Sequence, residues 1–193
     1  MNTTLRKSIL GIAGLAIAGG LAAGPLNHDT TTPTTSTPAA VQADKPNTGT
    51  LTPNGVQGAQ SHIDLNGEQT DNAKAIIAAT KKTGMDERAA VVAIATSLQE
   101  SKLENLGHLG DRNDHDSQGL FQQRPSSGWG TVEQITDPEY STTAFLNGLK
   151  QVDGWKDMPL TAAAQTVQVS AYPDHYAQWE QQAADLVAQH WTS

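Results

Sequence analysis

The sequence of 193 residues contains no cysteine, and this absence excludes several classes of protein at once. Disulfide-stabilised scaffolds, cysteine-ligated zinc sites, iron–sulfur clusters, thiol nucleophiles and a cysteine-linked lipid anchor all require a thiol. Basic residues are also few, since 12 Lys and Arg stand against 20 Asp and Glu and the net charge is −8. A surface that neutralises phosphates needs clustered Lys and Arg, so we expect no nucleic-acid partner.

Apolar residues are scarce as well, at 37% of the chain, and their distribution predicts three regions. Residues 1–24 combine Arg6 and Lys7 with an uncharged apolar run, which is typical of a secretory signal peptide or of an uncleaved membrane anchor. Residues 25–61 are rich in Thr, Pro, Gly and Asn and are predicted to be a disordered linker. Residues 62–193 are predicted to be the folded domain. We therefore expect a secreted or cell-surface protein that meets the membrane only through an uncleaved first segment.

The folded region carries helix signals and no convincing series of strands, which predicts a mainly α fold. The run AAVVAIATSL at 89–98 has no charge and is apolar on every side, so it is predicted to be a buried central helix. Residues 107–118 are rich in Gly and Asp and are predicted to be a long loop. Further helices are predicted from their start signals: 73–83 after Asp71, the central helix after Asp86, one at Asp137–Pro138, 160–170 after Pro159, and the last from Pro173–Asp174 towards 191.

Glu100 is the strongest candidate for a catalytic side chain. It follows the buried helix body and lies near the negative end of that helix's dipole. Burial and the dipole both disfavour a carboxylate, so both raise the pKa of this group. A carboxyl with a raised pKa is what a general acid for glycoside cleavage requires. The alternative is an exposed Glu in a frayed last turn, paired with Lys102 or Arg88.

Two short motifs follow the helix body at a defined spacing. QESKL at 99–103 precedes SQGLFQQ at 117–123, and the strings GLFQQRPSSGWGT, ITDPEY and AAQTVQVSAYPDHY come after them. A Glu-Ser pair followed by Ser-x-Gly-Leu-Phe-Gln resembles the soluble lytic transglycosylases and goose-type lysozymes of the lysozyme-like superfamily. The wider strings resemble secreted actinobacterial lysozyme-like proteins. The resemblance covers about residues 70–191 and implies a lysozyme-like helical domain with a long active-site loop.

The resemblance also implies roles for the residues of the two motifs. Glu100 would be the catalytic acid and base, and Ser101 would support it within the substrate-binding region. A glycine in the second motif would allow a close backbone approach that a side chain would block. The glycan cleft would be lined by Ser117, Gly119, Leu120, Phe121 and Gln122.

Aromatic residues are further candidates for holding the sugar. Tyr172 would help to polarise the substrate, but Pro173 follows it where the transglycosylases carry Asn, so Tyr176 is the competing candidate. Trp129 lies in a Gly-flanked loop just after the second motif. There it would either stack on a sugar face or anchor its loop in the core.

A second carboxylate would decide the type of reaction. An inverting hydrolase needs a base about 6.5–9.5 Å from the acid to activate water, and a retaining one needs a closer nucleophile. Asp111, Asp114 and Asp116 lie on the loop that is predicted to face the cleft, and each is either this group or a solvated turn residue. The transglycosylases that the chain resembles need none, because the muramic 6-hydroxyl attacks and leaves a 1,6-anhydro product.

The same loop suggests a metal site as an alternative. His108, Asp111, His115 and Asp116 are residue types that bind zinc, which would make the protein a cell-wall metallopeptidase. Their spacing matches no zinc motif, and the Gly and distal Glu of a calcium-binding EF-hand loop are missing. We therefore expect no metal and no cofactor.

The sequence thus predicts an exported, monomeric, lysozyme-like domain that acts on peptidoglycan glycan strands. It would cleave the β-1,4 bond between N-acetylmuramic acid and N-acetylglucosamine, as a lytic transglycosylase or a muramidase with Glu100 as its single acid and base. The alternatives are a non-catalytic glycan-binding module of the same fold and the zinc peptidase. Because residues 64–193 carry 18 acidic and 9 basic residues, recognition is expected to come from the cleft and not from attraction to an anionic wall.

Overall fold

The computed structural model describes residues 46–192, and this part of the chain is helical, as expected. The predicted signal segment at 1–24 and residues 25–45 of the predicted linker lie outside the described residues. No helix among the described residues has the length and apolar character needed to cross a membrane. In residues 46–192 there are seven α-helices and no strand: α1 (Thr48–Leu51), α2 (Gly67–Lys82), α3 (Glu87–Ser101), α4 (Val132–Ile135), α5 (Pro138–Lys150), α6 (Leu160–Gln168) and α7 (Glu180–His190).

Helix α3 forms the centre of the domain, as its uncharged sequence predicts. Residues 89–95 and Leu98 are fully buried beneath α2, α5, α6 and α7. Each buried Val, Ile or Leu side chain among them stabilises the fold by about 1.5–3 kcal/mol, so α3 supplies a large share of the core. Asp86 caps the helix by accepting a hydrogen bond from the Ala89 amide at 3.3 Å. The helix ends where Lys102 adopts a left-handed conformation (φ 57°), which turns the chain away directly after Glu100.

Helix boundaries outside α3 follow the prediction only in part. The start of α5 at Asp137 and Pro138 is confirmed, and the Asp137 side chain accepts from the Tyr140 amide at 2.7 Å. Helix α2 begins at Gly67, not at 73, because Asn66 and Gln69 exchange side-chain-to-amide hydrogen bonds of 2.9 Å in a capping box. The predicted last helix is divided into a 3₁₀ turn at His175–Trp179 and α7.

Residues 46–61, the N-terminal arm, belong to the predicted linker, yet they pack on the helical domain. Leu51 is fully buried in the core, and its carbonyl accepts a hydrogen bond from Arg88 Nη1 at 2.8 Å. Arg88 also forms a buried ion pair with Glu180 at 2.7 Å. Further along the arm, the Ser61 amide donates to the Gln178 carbonyl at 2.7 Å. One well-placed apolar residue and a few hydrogen bonds therefore order a segment whose composition is typical of a linker.

Candidate active site

A cleft of about 780 Å³ opens beside the C-terminal end of α3, within the size range of sites that bind small ligands. Three stretches of chain form its walls. Helix α3 contributes Glu100, the following loop contributes residues between 114 and 129, and the end of α6 with its next turn contributes 167–172. The ends of α3 and α6 therefore place the Glu100 carboxyl between a polar loop and a short turn.

The Glu100 carboxyl is half-buried and held from one side. Tyr176, which is fully buried, donates its hydroxyl to Glu100 Oε1 at 2.6 Å. The side-chain amide of Gln168 donates to the same oxygen at 3.4 Å. Within residues 46–192 no hydrogen bond reaches Oε2, so the proton of the acid form belongs on Oε2. The carboxyl is thus oriented by one oxygen and has the other free for a ligand in the cleft.

Burial raises the pKa of the Glu100 carboxyl above its ordinary value. The hydrogen bonds from Tyr176 and Gln168 and the charge of Lys102 act in the opposite direction but do not reverse the shift. The C-terminal position on α3 adds a dipole that also disfavours the carboxylate. Burial and the neighbouring Glu100 charge raise the pKa of Tyr176 as well, so this phenol remains a hydrogen-bond donor.

The alternative of an exposed, frayed Glu100 does not match its surroundings. Arg88, a suggested partner, is paired with Glu180 instead. Lys102 donates its amino group to the Leu98 carbonyl at 3.0 Å and lies 4.7 Å from the centre of the Trp179 ring. It therefore acts on Glu100 through its charge, with no direct ion pair between the two side chains.

Four residues predicted to bind substrate do not line the cleft and instead support the chain segments that form it. Ser101 is buried and donates its hydroxyl to the Leu120 carbonyl at 2.8 Å, which ties the end of α3 to the loop. Leu120 and Phe121 belong to the core, where Phe121 stacks on Phe145. A side chain at Gly119 (φ 77°) would place its Cβ only 2.1 Å from the Ile135 carbonyl oxygen, so the predicted close approach is made to α4 and not to the carboxyl.

Other predicted residues do lie in the cleft lining: Ser117, Gln122, Trp129 and Tyr172. Between the two candidate tyrosines, Tyr176 contacts Glu100, whereas Tyr172 is 62% exposed at the rim and its ring stacks on His175. The side-chain amide of Gln168 also donates to the Phe121 carbonyl at 2.9 Å, which fixes it between the loop and the acid. Gln168 was not predicted, because no periodicity distinguishes it from the other Gln residues of the C-terminal region.

The three candidate second carboxylates have different places. Asp114 lines the cleft and accepts hydrogen bonds from His115 Nδ1 and Arg124 Nη2, each at 2.7 Å. These bonds lower the pKa of Asp114, so it is ionised over a wide pH range. Asp116 is outside the lining and accepts from the amide and hydroxyl of Ser126, both at 2.8 Å. Asp111 is exposed in a 3₁₀ turn, also outside the lining.

Three of the four residues of the suggested zinc site have separate partners, and the fourth, Asp111, is exposed. His108 Nδ1 accepts from the Gly110 amide, His115 pairs with Asp114, and Asp116 binds Ser126. Among the described residues, no three His, Asp or Glu side chains come together in a group that would hold a metal ion. The contacts of this loop are those of a structured turn.

Comparison of the chain with protein-family models finds no match, and comparison with curated proteins finds none either.

Proposed function

We propose that the domain is a lysozyme-like glycosidase that cleaves the β-1,4 bond between N-acetylmuramic acid and N-acetylglucosamine in peptidoglycan. The observation that carries the proposal is the Glu100 carboxyl, which has a raised pKa, accepts a hydrogen bond from the buried Tyr176 hydroxyl at 2.6 Å and opens into a cleft. The spacing of the Glu-Ser and GLFQ motifs supports the choice of substrate. The predicted export signal at 1–24 supports action outside the cytoplasm, where peptidoglycan glycan strands lie.

The first step would be protonation of the glycosidic oxygen by Glu100. Oε2 gives its proton to the leaving oxygen while the bond between that oxygen and the sugar C1 breaks. The carboxylate that results is stabilised by the donors on Oε1, Tyr176 and Gln168. Ionised Asp114 places a negative charge in the same cleft, which favours the positive charge that develops on the sugar ring.

The second step would return the proton to Glu100. The Glu100 carboxylate takes a proton from the group that attacks C1, which is water in a muramidase and the muramic 6-hydroxyl in a transglycosylase. Water gives a reducing end, and the 6-hydroxyl gives a 1,6-anhydro end. No cofactor enters either route, so the chemistry rests on the residues of this cleft.

The test is release of muropeptides from purified peptidoglycan by the full chain, with mass spectrometry of the products. The wild type should release fragments with reducing or anhydro ends. Glu100→Gln should lower the rate by about 10²–10⁴-fold, since that is the usual contribution of a general acid. The matched control is Glu104→Gln, because Glu104 is exposed four residues later and should leave the rate unchanged.

Two results would overturn the proposed glycosidase activity. Absence of product from the wild type across several wall chemistries, together with binding of glycan that Glu100→Gln leaves intact, would identify a binding module. Loss of release on chelation, with Glu100→Gln fully active, would instead favour the peptidase.

A further inference from the structure

Val169, the residue that follows α6, has a conformation that its side chain disfavours. It has φ 51° and ψ 45°, in the left-handed region, and its side chain is 80% exposed. A β-branched residue there is a steric outlier, and Gly or Asn is the usual choice at this helix-end position. Because the exposed side chain gains little from packing, the fold itself does not explain a valine. Strained residues of this kind concentrate at functional sites.

Val169 and its neighbours belong to the wall of the cleft. Val169, Ser170 and Tyr172 line it, directly after Gln168, which contacts the Glu100 carboxyl. Val169 and Tyr172 are the two most exposed large apolar side chains among the described residues, at 80% and 62%. The largest exposed apolar groups therefore lie together beside the candidate acid.

The turn that carries these side chains is held in place. The Tyr172 amide donates to Ser170 Oγ at 3.1 Å, and Gln165 donates to the Ser170 carbonyl at 2.8 Å. The Tyr172 ring stacks on His175, with the ring centroids 4.9 Å apart. An apolar surface that is both exposed and fixed by hydrogen bonds is suited to a ligand, because little conformational freedom is lost when the ligand binds.

We propose that Val169 and Tyr172 form a substrate-contacting lip that packs against the apolar C–H face of a sugar ring next to the bond that Glu100 protonates. The inference rests on the proposed function for the identity of the ligand as a glycan. The lip would set the affinity of the cleft for the sugar without taking part in proton transfer. The apolar face of the sugar would contact the lip. The hydroxyl and amide groups of the sugar would then face Ser117, Gln122 and Arg124 in the remaining lining.

The test variant is Val169→Gly, measured for stability and for binding. Glycine relieves the left-handed strain, so Tm should rise by roughly 1–3 °C in a protein of this size. Binding should weaken by about 3- to 10-fold, as expected for the loss of one aliphatic contact. Binding is measured by calorimetry in the Glu100→Gln background, with peptidoglycan glycan strands and a soluble N-acetylglucosamine oligosaccharide, so that turnover is not needed. Val169→Ile should retain the affinity.

The matched control is Val56→Gly, the same change at a partly exposed valine of the arm, outside the cleft lining. It should leave the affinity unchanged. Unaltered affinity in Val169→Gly would overturn the lip, whatever happens to Tm, and so would failure of the Glu100→Gln protein to bind either glycan. In another outcome, the wild type releases no product while Val169→Gly still weakens binding in the Glu100→Gln background. That pair of results would support the lip and refute only the cleavage reaction.

Discussion

Glu100 and Asp114 face the same cleft, yet their surroundings favour opposite protonation states. Glu100 lies at the end of a buried helix, and burial raises its pKa. Asp114 lies on an exposed loop, and hydrogen bonds from His115 and Arg124 lower its pKa. The difference shows that the position of a carboxyl in the fold, more than its residue type, decides whether it is an acid or a fixed negative charge.

Tyr176→Phe should have a large effect on the Glu100 side of the comparison. The change removes the 2.6 Å hydrogen bond while keeping the buried ring, so turnover should fall by roughly 10- to 100-fold. Because this bond lowers the pKa of Glu100, its loss should also move the high-pH decline of activity to a higher pH. The pH dependence of kcat/KM measures both effects.

The control for this variant is Tyr140→Phe, which changes a half-exposed tyrosine of α5 outside the cleft lining and should behave as wild type. A Tyr176→Phe protein with normal activity and an unshifted pH profile would show that the contact to Glu100 has no catalytic role.

Asp114→Asn should have a smaller effect, of less than about 10-fold on turnover, if Asp114 acts only through its charge. Its charge raises the pKa of Glu100, so the high-pH decline should move to a lower pH, opposite to the Tyr176 variant. Asp116→Asn is the control, because Asp116 lies on the same loop outside the cleft lining. A loss as large as that of Glu100→Gln would instead make Asp114 the second catalytic carboxylate.

The smallest expected effect is on stability. A folded-state pKa raised above the unfolded value means that the stability contributed by protonated Glu100 is lost as pH rises through that folded pKa. Glu100→Gln does not titrate, so its Tm should match the wild type near about pH 4 and exceed it near about pH 8. Thermal denaturation across this range measures the difference. A lower Tm at high pH would indicate that the carboxylate is stabilised by its site.

The parts of the fold that local signals specify were predictable. The uncharged run of α3, the caps at Asp86 and Asp137 and the position of Glu100 after the buried body all follow from short stretches of sequence. The place of Ser117 and Gln122 in the cleft lining was expected only from the resemblance of their motif to the lysozyme-like superfamily.

What the sequence did not reveal depends on contacts between distant residues. Leu51 is buried because α3 and α7 supply its pocket, and nothing in its own segment indicates this. Gly119 meets the Ile135 carbonyl of α4, and Gln168 reaches Glu100 from α6. Val169 is an ordinary apolar residue by composition, and only its positive φ and its exposure at the cleft set it apart.

The central claim is that the cleft holds one protonatable carboxyl, Glu100, and one ionised carboxyl, Asp114. Nuclear magnetic resonance titration of the two side-chain carboxyl carbons tests this claim most directly. We expect Glu100 to titrate above the ordinary Glu value of 4.5 and Asp114 below the ordinary Asp value of 3.8. We also expect Tyr176→Phe to raise the Glu100 midpoint. Titration of Glu100 at or below its ordinary value in the folded wild type would contradict the account.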